Sequence, residues 1–595
     1  MTSEPSFWEK YSNVWAKEIV TEENDEETDV EEIKANLLDT SPFILPIEYH
    51  DPHCLPHSLR ADIEFHGPQN LMSHLLPSTC EHTPLLMEKW SSLYTTHKPY
   101  LKDNQSLLKN YKTKDSKMDT FIQSYLDFKS EQNFLGKFQY IQFRRFFFLN
   151  SIIGFLQFLA LYNICSPLFS LLSPFMGLIV PYFMFYLKGI RMSFSTYMKM
   201  VKTMVLNLPM VRNFLQFNKG NLQQKVYALV YLFFYGMSIY NNVNSCIHFY
   251  KNTNFMIDFN SKYFSFLSQG DELIHHVHEQ TKTLPSFSRF NEDLLKYQKE
   301  VHKMQYSIVS LNNTQQQYMK YGQIGLLMKS NFDMFYDESH HKCVMYLTYL
   351  NQYHRNIMDL AHLAQNKSLN PCTFKSNHHT KMKKMYYIAH SAKESIKNNI
   401  SLDKNIIITG PNASGKTTLI KSTLINLFLS QSIGMGCYKK CKLHMYDHFH
   451  SYLNIPDTSN RDSLFQAEAR RCKDIFEFIK KNKDKRHLCI FDEIYSGTNP
   501  QDAVLCADIY LKGMNQYKSC VDFVLTTHYL DLCKKFEEKE SVIKNQQMDV
   551  NQESNEDIQY TYVLKNGISE VHGGYQVLKD LELSLIHIWR CRRRG

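Results

Sequence analysis

One decapeptide restricts the fold more than anything else in the chain: Thr409-Gly410-Pro411-Asn412-Ala413-Ser414-Gly415-Lys416-Thr417-Thr418. It fits G-x-x-x-x-G-K-[ST], a loop whose backbone N–H groups wrap phosphates. Its flanks supply the setting that such a loop needs. Ile406-Ile407-Ile408 reads as a buried strand entering the loop, and Leu419, Ile420, Leu424, Ile425, Leu427 and Phe428 recur at helical spacing beyond it. Glycines let the backbone close around phosphates, and the helix N-terminus adds partial positive charge. The pattern therefore assigns Gly410 to Thr418 to a nucleoside triphosphate, with Lys416 on the β- and γ-phosphates and the Thr417 hydroxyl on Mg²⁺.

A second strand, Leu488-Cys489-Ile490-Phe491, ends in Asp492-Glu493, seventy-six residues after Lys416. Two carboxylates at the carboxyl edge of a sheet stand where open α/β sheets bind ligands. Asp492 suits a second Mg²⁺ contact, and Glu493 suits a general base that activates water. A lone acidic pair after a strand is commonly just solvated, so the spacing from Lys416 carries the weight. Asn499-Pro500 reads as an N-cap and first turn. His528 closes a further strand, Val521–Thr526, where it can reach a γ-phosphate. Ser463 opens a helix whose N-terminus can meet the phosphate of a second subunit, although such a serine is more often only a cap. With a strand expected at Asn405–Thr409 and a hairpin strand at Tyr560–Lys565, residues 386–583 read as a mostly parallel α/β domain.

Composition excludes disorder: 43% of residues are hydrophobic and 14% aromatic. The formal charge of +8 includes Arg590, Arg592, Arg593 and Arg594 in a tail, 584–595, that reads as a translated sequencing adaptor; without it the charge is +8 − 4 = +4. Mild basicity permits nucleic acid but does not argue for it. Fourteen cysteines without a framework spacing read as reduced thiols in an intracellular compartment. Cys437, Cys441, His444, His448 and His450 sit at spacings tolerable for zinc, yet buried thiols and exposed imidazoles explain them as well.

Residues 1–145 read as a mixed, partly helical region with an acidic linker around Glu22–Glu32 and no chemistry. Phe146 to Leu187 is then forty-two residues without Asp, Glu, Lys or Arg. A turn at Pro167 would make it a hairpin of two spans, each long enough for a ~30 Å hydrocarbon core. Arg144, Arg145, Lys188 and Arg191 at its ends fit a hairpin with both ends cytosolic. Asn150, Gln157 and Asn163 fit instead a pair of long helices buried in a soluble domain. Val226–Tyr240 is expected to be a core helix, and 188–385 a region of long packed helices.

Taken together, these motifs resemble the ATPase domain of the MutS family, an ABC-class ATPase. Thr409–Thr418 matches that family's loop, Asp492–Thr498 its second carboxylate motif, and Ser463-Leu464-Phe465 with Glu468 its signature helix. Thr527-His528-Tyr529 matches its switch, and Gly567–Tyr575 its closing segment. The resemblance covers residues 400–581. It implies an ABC-type P-loop ATPase domain behind a helical core and lever-like region. It also implies a homodimer with ATP sites shared across the interface, and a DNA-handling clamp in repair or recombination. Phe7-Trp8-Glu9 has the letters of the family's mismatch wedge, but so does Phe536-Glu537-Glu538, and no dedicated mismatch-reading domain is evident. The chain looks closer to compact MutS-like ATPases of large DNA viruses and some bacteria. The alternative is a membrane-tethered ATPase with a protein partner.

Overall fold

The computed structural model describes residues 34, 36–38, 42–65, 71–78, 82–115, 118–189, 193–207, 222–312, 323–376, 379–453, 464–537, 542–554 and 557–571. Phe7-Trp8-Glu9, Ser463 and the tail 584–595 lie outside them. The chain divides into two units. The first comprises 1–37, 117–271 and 299–344, and the second 38–116, 272–298 and 345–595.

The first unit is helical: α1 (Asp119–Lys129), α2 (Ile153–Leu187), α3 (Phe194–Asn207) and α6 (Ile324–Tyr336), with the larger part of α4 (Leu222–Thr281) and parts of α5 (Ser288–Asn312) and α7 (Glu338–Gln365). Aromatic side chains fill its core. Phe121 and Phe128 of α1 pack on Phe259 of α4, and Phe134 stacks on Phe335 at 3.9 Å. Helices α2 and α6 touch backbone to backbone at Gly325, where a Cβ would lie 2.5 Å from the Gln157 nitrogen. Gln157 accepts a bond from the Gly325 N–H at 2.8 Å. Asn150 is likewise satisfied, its amide exchanging two bonds with the Ile141 backbone.

Two expectations change here. Residues 153–187 form one continuous helix through Pro167, so the hairpin with a turn at that proline does not exist. Val226–Tyr240 is not a core helix; it lies in the exposed part of the 60-residue α4, where Tyr227, Leu232, Phe233 and Phe234 are all exposed. Among the described residues one stretch, Ile153–Leu172, is long and apolar enough to cross a membrane.

The second unit is built on a six-stranded sheet. Its strands are β1 (Asn405–Thr409), β2 (His448–Tyr452), β3 (His487–Asp492), β4 (Val521–Thr526), β5 (Ile543–Ser554) and β6 (Asp557–Asn566), in the order β6-β5-β1-β4-β3-β2. All pairs are parallel except the β5–β6 hairpin. β1 and β4 are buried at every residue, as strands covered on both faces must be. Helices α8 (Lys416–Ser432), α9 (Leu464–Lys481) and α10 (Pro500–Asn515) provide the connections. A five-stranded sheet between Asn370 and Leu443 packs beside this layer.

The segment 43–111, which carries no motif, belongs to this unit rather than to a separate N-terminal region. Phe65 lies against Phe428 of α8 with ring centroids 5.4 Å apart. Tyr94 donates to the Asp447 carbonyl at 2.8 Å, and Asn104 to that of Ile433 at 2.9 Å. Gly434 is needed where this segment docks: its φ is +80°, and a Cβ would stand 2.6 Å from the Leu101 carbonyl oxygen.

Candidate functional site

The parallel sheet puts three carboxyl-end loops side by side. β1 runs into the glycine loop, and Gly415, at φ +87°, caps α8 in the left-handed conformation. Lys416 is the first residue of α8. Its Nζ donates to the carbonyls of Gly410 (3.0 Å) and Pro411 (3.1 Å), so the loop curls around its own cation. β3 extends one residue beyond expectation, to Asp492. One Asp492 oxygen accepts from the Thr417 hydroxyl at 2.8 Å, and the other accepts from Thr526 at the end of β4. Strand register explains that second contact, since Asp492 and Thr526 are direct partners.

Glu493 follows with φ at +50°, a strained backbone for a residue with a Cβ, held by its N–H bond to the Thr526 carbonyl at 3.0 Å. Its carboxylate lies 2.7 Å from His528 Nε2 and 3.9 Å from Lys416 Nζ. The hydrogen bond to His528 is the main reason its pKa sits below the usual carboxylate value; the charges of His528 and Lys416 add to this, while burial opposes it. Burial lowers the pKa of Lys416, against the pull of Glu493 and Asp492. His528 Nε2 also stands 3.3 Å from Lys416 Nζ. As an N–H it serves Glu493, and as a lone pair it serves Lys416, so one nitrogen can arbitrate between the cation and the anion.

Lys416, Thr417 and Glu493 border a cleft of about 610 Å³. Asn412 to Thr418 and Glu493 form one wall, and Tyr386, Tyr387, His390, Asn398, Met548 and Tyr562 line the rest. The Tyr562 ring covers Gly415 so closely that a Cβ there would stand 3.1 Å from it. The Ser414 hydroxyl is buried at the loop without a hydrogen-bond partner.

Sequence motifs had marked the loop, both carboxylates and His528, and the fold brings all of them together. They had not marked Tyr386, Tyr387, His390, Met548 and Tyr562, which come from segments far apart in the chain with no shared spacing. Asn499 caps α10 as expected, accepting from the Asp502 N–H at 2.9 Å. Ser463 is outside the described residues, but α9 begins at the next one. Glu468 on α9 is 2% exposed and accepts three bonds, from the Ser496 N–H (3.0 Å), the Ser496 hydroxyl (2.8 Å) and the Gly497 N–H (3.1 Å). It pins the loop after Glu493 to the start of α9.

The zinc alternative finds no support among the described residues, where no three His, Cys, Asp or Glu side chains come together as zinc ligands. Burial pushes the Cys437 thiol up to about 12, away from the thiolate a metal needs. Burial takes His450 down to about 3, and it stacks on His487 with centroids 5.3 Å apart.

A glycine-loop α/β domain, with two carboxylates and a histidine gathered at the carboxyl edge of a parallel sheet, is the class that this geometry defines. Known proteins narrow it. The family description MutS domain V matches residues 406–586. Endonuclease MutS2 of Ligilactobacillus salivarius is 27% identical over 206 residues, covering 34% of this chain and 25% of that protein. The DNA mismatch repair protein MutS of Caldicellulosiruptor saccharolyticus is 28% identical over 187 residues (30% and 21%), and MSH3 of Saccharomyces cerevisiae 28% over 179 (29% and 17%). Residues 406–586 are thus a domain of the MutS domain V kind, similar to that of MutS and MutS2 proteins. It matches about a quarter or less of the length of these curated relatives.

Proposed function

We propose that the cleft binds ATP with Mg²⁺ and that the chain hydrolyses it, as an ABC-class ATPase of the MutS type. The observation that carries this is the convergence of Lys416, Thr417 and Glu493 on one wall of the cleft, with Asp492 bonded to Thr417 and His528 to Glu493 directly behind them. Thr417 and Asp492 offer adjacent hard oxygens of the kind Mg²⁺ takes, and the unpartnered Ser414 hydroxyl gives the loop a donor still to be used. Bound there, Mg²⁺ would neutralise phosphate charge. Phosphate oxygens replace the Gly410 and Pro411 carbonyls as partners of Lys416. Glu493, kept ionised by His528, orients water and takes its proton, and His528 is released to the γ-phosphate side.

Ser463, next to the pinned start of α9, acts on a second subunit's phosphates, which makes the working form a homodimer. The relatives' names, as mismatch repair proteins and an endonuclease, favour a DNA-handling clamp in repair or recombination, in an intracellular setting. Replacing Glu493 by Gln tests the core of this reading. ATP affinity is expected to persist while turnover falls ~10²–10⁴-fold, the usual worth of a general base. Sizing of Glu493→Gln with ATP is expected to give a dimer. Full turnover by the variant would remove Glu493 from the role, and a monomer with ATP bound would count against the shared site.

A further inference from the structure

Helices α2 and α4 form an antiparallel pair whose outer halves are apolar in sequence. Tyr235 donates to the Leu171 carbonyl at 3.0 Å and Cys246 to that of Ile164 at 3.6 Å, which fixes the register. Counting outward from these contacts sets residues 168–187 of α2 level with 222–240 of α4. The first stretch has no charged residue, and the second only Lys225. At 1.5 Å per residue these stretches measure about 30 Å and 29 Å, the thickness of a bilayer's hydrocarbon core. They end at a common level. On the inner side Pro167 of α2 stands level with Asn241 and Asn242 of α4, and the exposed tyrosines Tyr162 and Tyr240 lie nearby. On the outer side Lys188 follows α2, and Lys225, one turn inside α4, is long enough to extend outward.

Six consecutive residues, Leu229 to Phe234, are exposed, Phe233 and Phe234 at 63% and 65%. At about 100° per residue they point around the whole helix. A protein partner, or a second copy of this chain, would cover one face and leave the others in water. A fluid apolar phase covers them all. Charge identifies that phase further: the connection 188–221 has six Lys or Arg and no Asp or Glu. Its helix α3 exposes Lys199 and Lys202 beside Phe194, Met198 and Leu206. Such a segment suits a surface of anionic headgroups.

We infer that the outer halves of α2 and α4 are embedded in an anionic phospholipid bilayer, with the basic connection at its headgroups. The inner halves stay packed within the first unit, where Gln157 of α2 accepts from the Gly325 N–H. This inference does not depend on ATP hydrolysis. The test is flotation of the full chain with vesicles of phosphatidylcholine and phosphatidylserine at seven to three. The protein is expected in the floating fraction, resistant to 1 M NaCl and to alkaline carbonate, and released by detergent. The double variant Leu232→Arg with Phe233→Arg is expected to lose flotation at least ~10-fold, while circular dichroism and thermal unfolding stay as in the parent. Release by salt alone would mean only surface attraction and would overturn insertion. So would a soluble monomer without detergent, or a soluble dimer that protects α4 from proteolysis.

Discussion

His528 Nε2 stands between Lys416 at 3.3 Å and Glu493 at 2.7 Å, and its hydrogen bond is the leading reason that the Glu493 carboxyl ionises below its ordinary range. The sign follows. A carboxyl with a lowered folded pKa is ionised, and contributes stability, above its unfolded value, and loses both as pH falls through the folded value. His528→Ala removes the leading cause, so Glu493 titrates nearer its ordinary value. The acid limb of the turnover profile should therefore move to higher pH, read as turnover against pH for parent and variant. An unmoved limb would disconnect His528 from Glu493. The loop and both carboxylates were legible in the sequence because each lies within a few residues of its own strand. Thr526 was not: it holds Asp492 only because β3 and β4 pair in parallel register.

Among elements, α9 and the loop after β3 are joined by Glu468. Its oxygens accept three bonds from Ser496 and Gly497, and Gly497 has no room for a side chain: a Cβ would lie 2.8 Å from Leu464 Cγ. Glu468→Gln puts an NH₂ against N–H donors and removes a charge-assisted bond worth ~1.5–3 kcal/mol. Turnover is expected to fall about 10-fold or more with ATP affinity unchanged, since the residue touches no part of the cleft. Equal turnover would make the contact merely structural. The second element is the segment 43–111. Phe65 is fully buried against Phe428, so Phe65→Ala should cost ~3–5 kcal/mol. Denaturant unfolding should show the loss in the main transition of the second unit. A separate early transition would mean that the segment folds independently. Nothing in its sequence signals this docking, because its partners are distant rings and backbone carbonyls with no motif of their own.

For the whole molecule, the DNA-handling reading makes a quantitative demand. A clamp that neutralises several phosphates must lose affinity steeply with salt, by a slope of about −0.9 per phosphate. Titration of duplex binding by the full chain between low and moderate salt measures this. A flat dependence, with no stimulation of ATPase by DNA, would favour a protein partner instead.

The sequence by itself determined the α/β domain, its loop and its carboxylates, because local spacing and burial pattern are enough to specify a strand, a turn and a helix. It also showed that 146–187 is apolar. It could not show that this stretch is one helix through Pro167, since a proline in a long apolar run reads equally as a turn or as a tolerated interruption. Nor could it show that Val226–Tyr240 lies exposed beside it. Burial is a property of neighbours, and only the tertiary structure decides which apolar surfaces find them. Here packing covered Phe65 and left Phe233 bare.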